Sequence, residues 1–203
     1  MILAFWQWGR IPGPRSNFLK GLGVLIMVAL LVEIYGGITN RLSINNNLVY
    51  GLFGQLEALL VLWLIGTLRP SWKRWLLLCG MLFIGSYIIN VIVRGTIHGL
   101  MIETVLLNAL VLSILLICVL LWLAQQASVP LYRLPGFWIM LGLLIYFAGI
   151  APTIGGYEMI FRDPAIGHYV YHVVQVLCII RYLLAAYGCH LACKTGTWMI
   201  PIE

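Results

Sequence analysis

Charged residues are scarce in this chain. Only 9% of its 203 residues are Asp, Glu, Lys or Arg, and just six of them are acidic. Soluble domains carry about 25% charged residues and about 45–50% apolar ones. Here hydrophobic residues reach 63%, too many for a water-soluble surface to be covered. The solvent around such a chain is lipid. Reaction motifs are missing too: the sequence has no phosphate-binding GxxxxGK loop, no GxSxG elbow, no HExxH and no dinucleotide fingerprint. No internal repeat stands out, which weighs against an inverted-repeat transporter. No basic groove with accessible aromatics is present, so the net charge of +6 does not point to nucleic acid.

What is present is a series of long apolar runs. A span needs roughly 20 apolar residues to cross a core about 30 Å thick. Six stretches qualify: 18–36, 48–68, 75–93, 105–123, 137–154 and 167–193. They predict an all-α, polytopic transmembrane bundle of about six helices in one domain, 1–203, with short connections and no soluble module. Gly36-Gly37 and Gly155-Gly156 mark span ends, and Pro152 closes the fifth run. The first run is read as a retained helix rather than a cleaved signal peptide, because no small-residue cleavage site follows it. The segment 1–8 before it, set off by Pro12-Gly-Pro14, is placed in the interface.

Basic residues predict the orientation. Arg10, Arg15, Lys20, Arg69, Lys73, Arg74, Arg133 and Lys194 fall on one side of the alternating spans, against Arg41, Arg94 and Arg162 on the other. Both termini are therefore expected in the cytoplasm, with the chain multi-pass in a bacterial inner membrane. All eight Trp fall in the same half as the larger basic group, as indoles at one headgroup belt would. None of the five Cys lies in an outer connection, so no structural disulfide is expected. Cys189 and Cys193 flank His190 one turn apart and are read as packing residues.

The polar residues inside the spans are the candidate site, since ionisable groups at membrane depth mark function or a needed internal pair. Tyr50, Gly54 and Glu57 share one helix face. Ser86, Asn90 and Arg94 repeat at four-residue intervals, and Glu103, Thr104 and Asn108 open the next span. His168, His172 and Gln175 form a stripe on the last, while Glu33 lies near the outer end of the first. Nearly all fall in the outer half. A polar pocket open to the outside, lined by Tyr50, Glu57, Asn90, Arg94, Asn108, His168, His172 and Gln175, would explain that asymmetry. Interhelical glue explains it equally, at about 0.6–2 kcal/mol per contact. Arg181, deep in the last span, is read as structural.

His168 and His172 at i, i+4 could also hold zinc or a haem iron, with His98 and Glu103 as further ligands. Membrane hydrolases of the ceramidase and progestin-receptor type carry such a pair, but the Ser, His and Asp residues they place in earlier helices have no counterpart around Ser86 and Asn90. No resident cofactor is expected otherwise.

Asn47-Leu-Val-Tyr50 followed by Glu57, and Pro135-Gly-Phe-Trp138 leading to Tyr146-Phe147, resemble short multi-helix integral membrane proteins common in Bacteroidetes. The resemblance implies a membrane sensory module. The leading expectation is thus a module that binds a small or lipidic ligand from outside and signals to a cytoplasmic partner or through a homo-oligomer. Its alternatives are a small-molecule transporter or transporter subunit, and a metal-dependent intramembrane hydrolase built on His168 and His172.

Overall fold

In the computed structural model the described residues are 1–13, 15–42, 44–96, 101–155 and 164–195, with side chains from 172 onward in the last segment. They form seven α-helices: α1 (Ile2–Gly9), α2 (Asn17–Arg41), α3 (Asn47–Leu68), α4 (Lys73–Arg94), α5 (Ile102–Gln126), α6 (Pro135–Gly155) and α7 (Pro164–Thr195). Short 3-10 turns at Pro70–Trp72 and Leu131–Arg133 lead into α4 and α6. No strand occurs among the described residues. Six helices are long and apolar enough to cross a membrane, and α1 is not among them. The chain divides into two compact units, Ser16–Asn108 and Met1–Arg15 with Ala109–Glu203, the boundary falling inside α5.

In the first unit α2 packs on α3 and α3 on α4. Ser16 opens α2 by accepting from the Leu19 amide at 3.3 Å, the side-chain cap that satisfies an orphan N–H. Phe18, Leu22, Leu25, Ala29, Gly36 and Thr39 are buried along one face of α2, in steps of three, four or seven that hold a seam between nearly antiparallel helices. A single register follows it. Thr39 meets Asn46, the Tyr50 hydroxyl occupies the notch that Gly36 leaves, and Trp63 and Leu64 pack where a side chain at Gly21 would stand. On α4 only Leu76 and Phe83 are buried.

In the second unit α6 and α7 pair closely, and α1 lies against α7. Glycines set the spacing. A Cβ at Gly142 would stand 3.0 Å from the Arg181 carbonyl, and one at Gly188 would stand 2.8 Å from the Pro135 carbonyl. Small residues let membrane helices approach to this distance, where dispersion replaces the missing hydrophobic drive. Arg15 closes α1: it donates to the Gly9 carbonyl at 2.9 Å and its guanidinium stacks on Trp8 at 4.0 Å.

Two expected helix ends lie elsewhere. Helix α2 runs through Gly36-Gly37 to Arg41, and α6 runs through Pro152 to Gly155. In lipid a broken helix exposes backbone groups with no water to satisfy them, so weak breakers are carried within the helix. Thr153 donates its hydroxyl to the Gly149 carbonyl at 2.6 Å, adding a bond in the turn that the proline loosens.

Candidate functional site

The polar residues of the first unit separate into two sets by what they touch. The first set closes hairpins. Helix α4 ends at Arg94, and Gly95 takes a left-handed φ of 63°, the conformation that stops a helix with least strain. Across the turn, Arg94 pairs with Glu103 at 2.6 Å. With its amide oxygen turned toward Thr104, Asn90 accepts from that residue's amide at 3.2 Å and its hydroxyl at 2.7 Å, and donates to Glu103 at 3.2 Å. The predicted stripes of α4 and α5 therefore meet, and Asn90, Arg94, Glu103 and Thr104 form one clasp. Thr104 is buried, Asn90 is half-buried and Glu103 is exposed. The exposed Arg94–Glu103 pair contributes about 0–1 kcal/mol, so the Asn90–Thr104 contact carries more of the clasp.

A smaller clasp joins α2 to α3. Thr39 donates to the carbonyls of Tyr35 and Gly36, at 3.0 and 3.1 Å, and accepts from the Asn46 amide at 3.2 Å. Sequence reasoning missed it, although Asn45-Asn46-Asn47 just before an apolar run is a turn signal. Tyr50, named as pocket-lining, packs its hydroxyl over Gly36 one turn further along the seam.

The second set is buried and belongs to neither clasp. Glu57 is 3% exposed at the middle of α3, and Asn108 is 5% exposed on α5. The α2–α3 register places Glu57 level with Val28 and Ala29, about 15 Å along the helix from Asn47. Glu33 lies exposed on α2. The Asn108 side-chain oxygen is buried with no hydrogen-bond partner among the described residues. Burying such an oxygen unpaired costs about 1–3 kcal/mol.

The α7 residues belong to the other unit. His172 is exposed, its Nδ1 3.2 Å from the Gln175 side-chain oxygen one turn on, and the two form a pair on one helix. The side chain of His168 and all of His98 lie outside the described residues. Among those described, no three His, Cys, Asp or Glu residues gather as a metal site. Arg181 is 3% exposed, its guanidinium 4.5 Å from the Tyr146 ring and 5.0 Å from that of Tyr182. Such cation–π contacts are worth more when desolvated. Cys189 is fully buried, and Cys193 donates to the Gln7 carbonyl at 3.6 Å, tying α7 to α1.

The basic connections carry a further pattern that residue counting did not show. Arg10 stacks on Trp6, Arg15 on Trp8, Arg69 on Trp72 and Arg133 on Tyr132. Each pair lies within seven residues, so the signal was present as basic–aromatic proximity. No protein family, curated protein or solved structure matches the chain.

Proposed function

We propose that the chain is a multi-pass membrane module that binds a small or lipidic ligand beside Glu57 and passes a helix displacement to a cytoplasmic partner. The observation that carries this reading is the burial of Glu57 at mid-span together with a buried Asn108 oxygen that no described residue satisfies. Hairpin closure accounts for Asn90, Arg94, Glu103 and Thr104, and it accounts for neither of these two. An ionisable residue at membrane depth is costly and by default marks a functional site. A ligand that donates a hydrogen bond to Asn108 offsets the cost of its buried oxygen. Membership of the Bacteroidetes-type sensory modules, termini in the cytoplasm and residence in a bacterial inner membrane form part of the same proposal. The basic, aromatic-stacked connections support the orientation.

The test is a thermal-unfolding screen of the protein in nanodiscs against amines, sugars, carboxylates, sterols and phospholipids. A ligand that binds only the folded state raises the melting temperature by mass action, by about 2.7 kcal/mol at a hundred times its Kd. We expect a compound that stabilises the wild type and Arg94→Gln but loses its effect on Glu57→Gln and Asn108→Leu. If every active compound shifts Glu57→Gln as much as the wild type, the site is wrong. Uptake of the same compound into proteoliposomes would convert the reading to transport. Stoichiometric metal lost in His172→Ala would convert it to the hydrolase.

A further inference from the structure

Helix α1 is too short to cross a membrane, yet it packs against the last span and precedes the first span in the chain. Its Gln7 carbonyl accepts from Cys193, two residues before the end of the α7 span at Thr195. In the chain it is followed by α2, which begins at Asn17 and is itself a span. One face of α1 is turned in, with Ala4 fully buried. The other carries Ile2, Leu3 and Trp6, which are 75%, 49% and 55% exposed. At its end the exposed Arg10 stacks its guanidinium 4.9 Å from the Trp6 ring. An eight-residue helix with large apolar side chains outward and a base at its rim is unsuited to water. It suits the boundary between acyl chains and headgroups.

Charge identifies the headgroup. Arg15 spends its donors on the carbonyls of Gly9 and Ile11, whereas Arg10 meets the Trp6 ring and no carboxylate among the described residues. Lys194 stands exposed at the end of α7. In this unit the acidic residues of the sequence are Glu158, Asp163 and Glu203, all outside the described residues. The described part of the unit is cationic without a counter-charge. We infer that α1 is an interfacial anchor whose Ile2–Leu3–Trp6 face enters the acyl boundary while Arg10 holds the headgroup of an anionic phospholipid. This inference stands apart from the Glu57 reading and rests only on the six spans.

Hydrogen exchange read by mass spectrometry on the full chain in nanodiscs tests it. Discs of phosphatidylcholine alone are compared with discs that also contain phosphatidylglycerol. A surface base contributes enough to slow opening of α1 about fivefold in the anionic discs, with the α3 and α6 peptides unchanged. Arg10→Gln should remove that difference while leaving α1 exchange in neutral discs at the wild-type rate, and Arg10→Lys should keep it. Lys73→Gln, at the start of α4, should have no effect on α1. Should Arg10→Gln unfold α1 in neutral discs, the Arg10→Lys comparison alone decides. Exchange of α1 that is indifferent to lipid charge overturns the inference. So does protection reproduced in neutral discs by inorganic phosphate, which would mean a free-anion site.

Discussion

Replacing Gly188 by Ala should destabilise the protein, although alanine is the better helix former. The added Cβ would stand 2.8 Å from the Pro135 carbonyl oxygen and 2.8 Å from Ile139 Cγ1. The first is backbone at the start of α6 and can move only by shifting the helix. Overpacking of this kind costs about 1–3 kcal/mol, against a propensity gain of about 0.8–1.0 kcal/mol. Gly85, on α4, supplies the control: a Cβ there meets nothing within 4 Å, so Gly85→Ala should be neutral or stabilising. The expected gap between the two variants is about the overpacking cost alone, 1–3 kcal/mol, or roughly 5- to 150-fold in the unfolding equilibrium. Gly149→Ala separates distance from rigidity. Its Cβ would approach Leu177 more closely, at 2.6 Å, but those atoms are methyl ends of a flexible side chain, so it should cost less than Gly188→Ala. Steric trapping in bicelles measures all three. If Gly188→Ala proves as stable as Gly85→Ala, the α6–α7 seam is not glycine-limited and the packing argument fails.

The clasps make further predictions. Asn90→Leu and Thr104→Val should each cost about 0.6–2 kcal/mol, and the double variant less than their sum because they remove one contact; additive losses in the same assay would show that the residues act separately. Thr39→Val should speed hydrogen exchange in the 40–46 turn without changing α6–α7 peptides, since Thr39 bonds only within its own hairpin. Gly36→Ala should push the Tyr50 ring from its notch, visible as a shift in the tyrosine signals by NMR, whereas Gly37→Ala, with open space around it, should not.

The spans were legible because their signal is a composition averaged over about 20 residues, which no single side chain can reverse. The ends were less so. Gly36-Gly37 and Pro152 carry the local signature of a stop, but in hydrocarbon the helix is the only way to satisfy the backbone. Gly36 serves instead as the notch for Tyr50. Helix α1 was placed at the interface without being seen as a helix, because eight residues have little intrinsic helicity. Its order comes from α7 and from Arg15 closing over Gly9 and Ile11, and those contacts are distant in sequence or need the turn's geometry.

The site shows the same division in sharper form. Asn90, Arg94, Glu103 and Thr104 could be paired from sequence because one short connection separates them, and neighbouring helices joined by a short turn must lie together. That proximity is also what makes them weak evidence for a ligand: residues flanking a turn are well placed to close it. Glu57 and Asn108 have no such excuse. They are buried on helices separated in the chain by α4, Glu57 at mid-span and Asn108 one turn beyond Thr104, and neither belongs to the contacts that close the two hairpins. A glue residue is expendable when its partner is removed with it, but a ligand group is not. Glu57→Gln, which keeps the size and a hydrogen-bonding side chain, should leave the fold close to the wild type in stability. Function should be lost all the same. Loss of folding in Glu57→Gln would instead make Glu57 part of the scaffold.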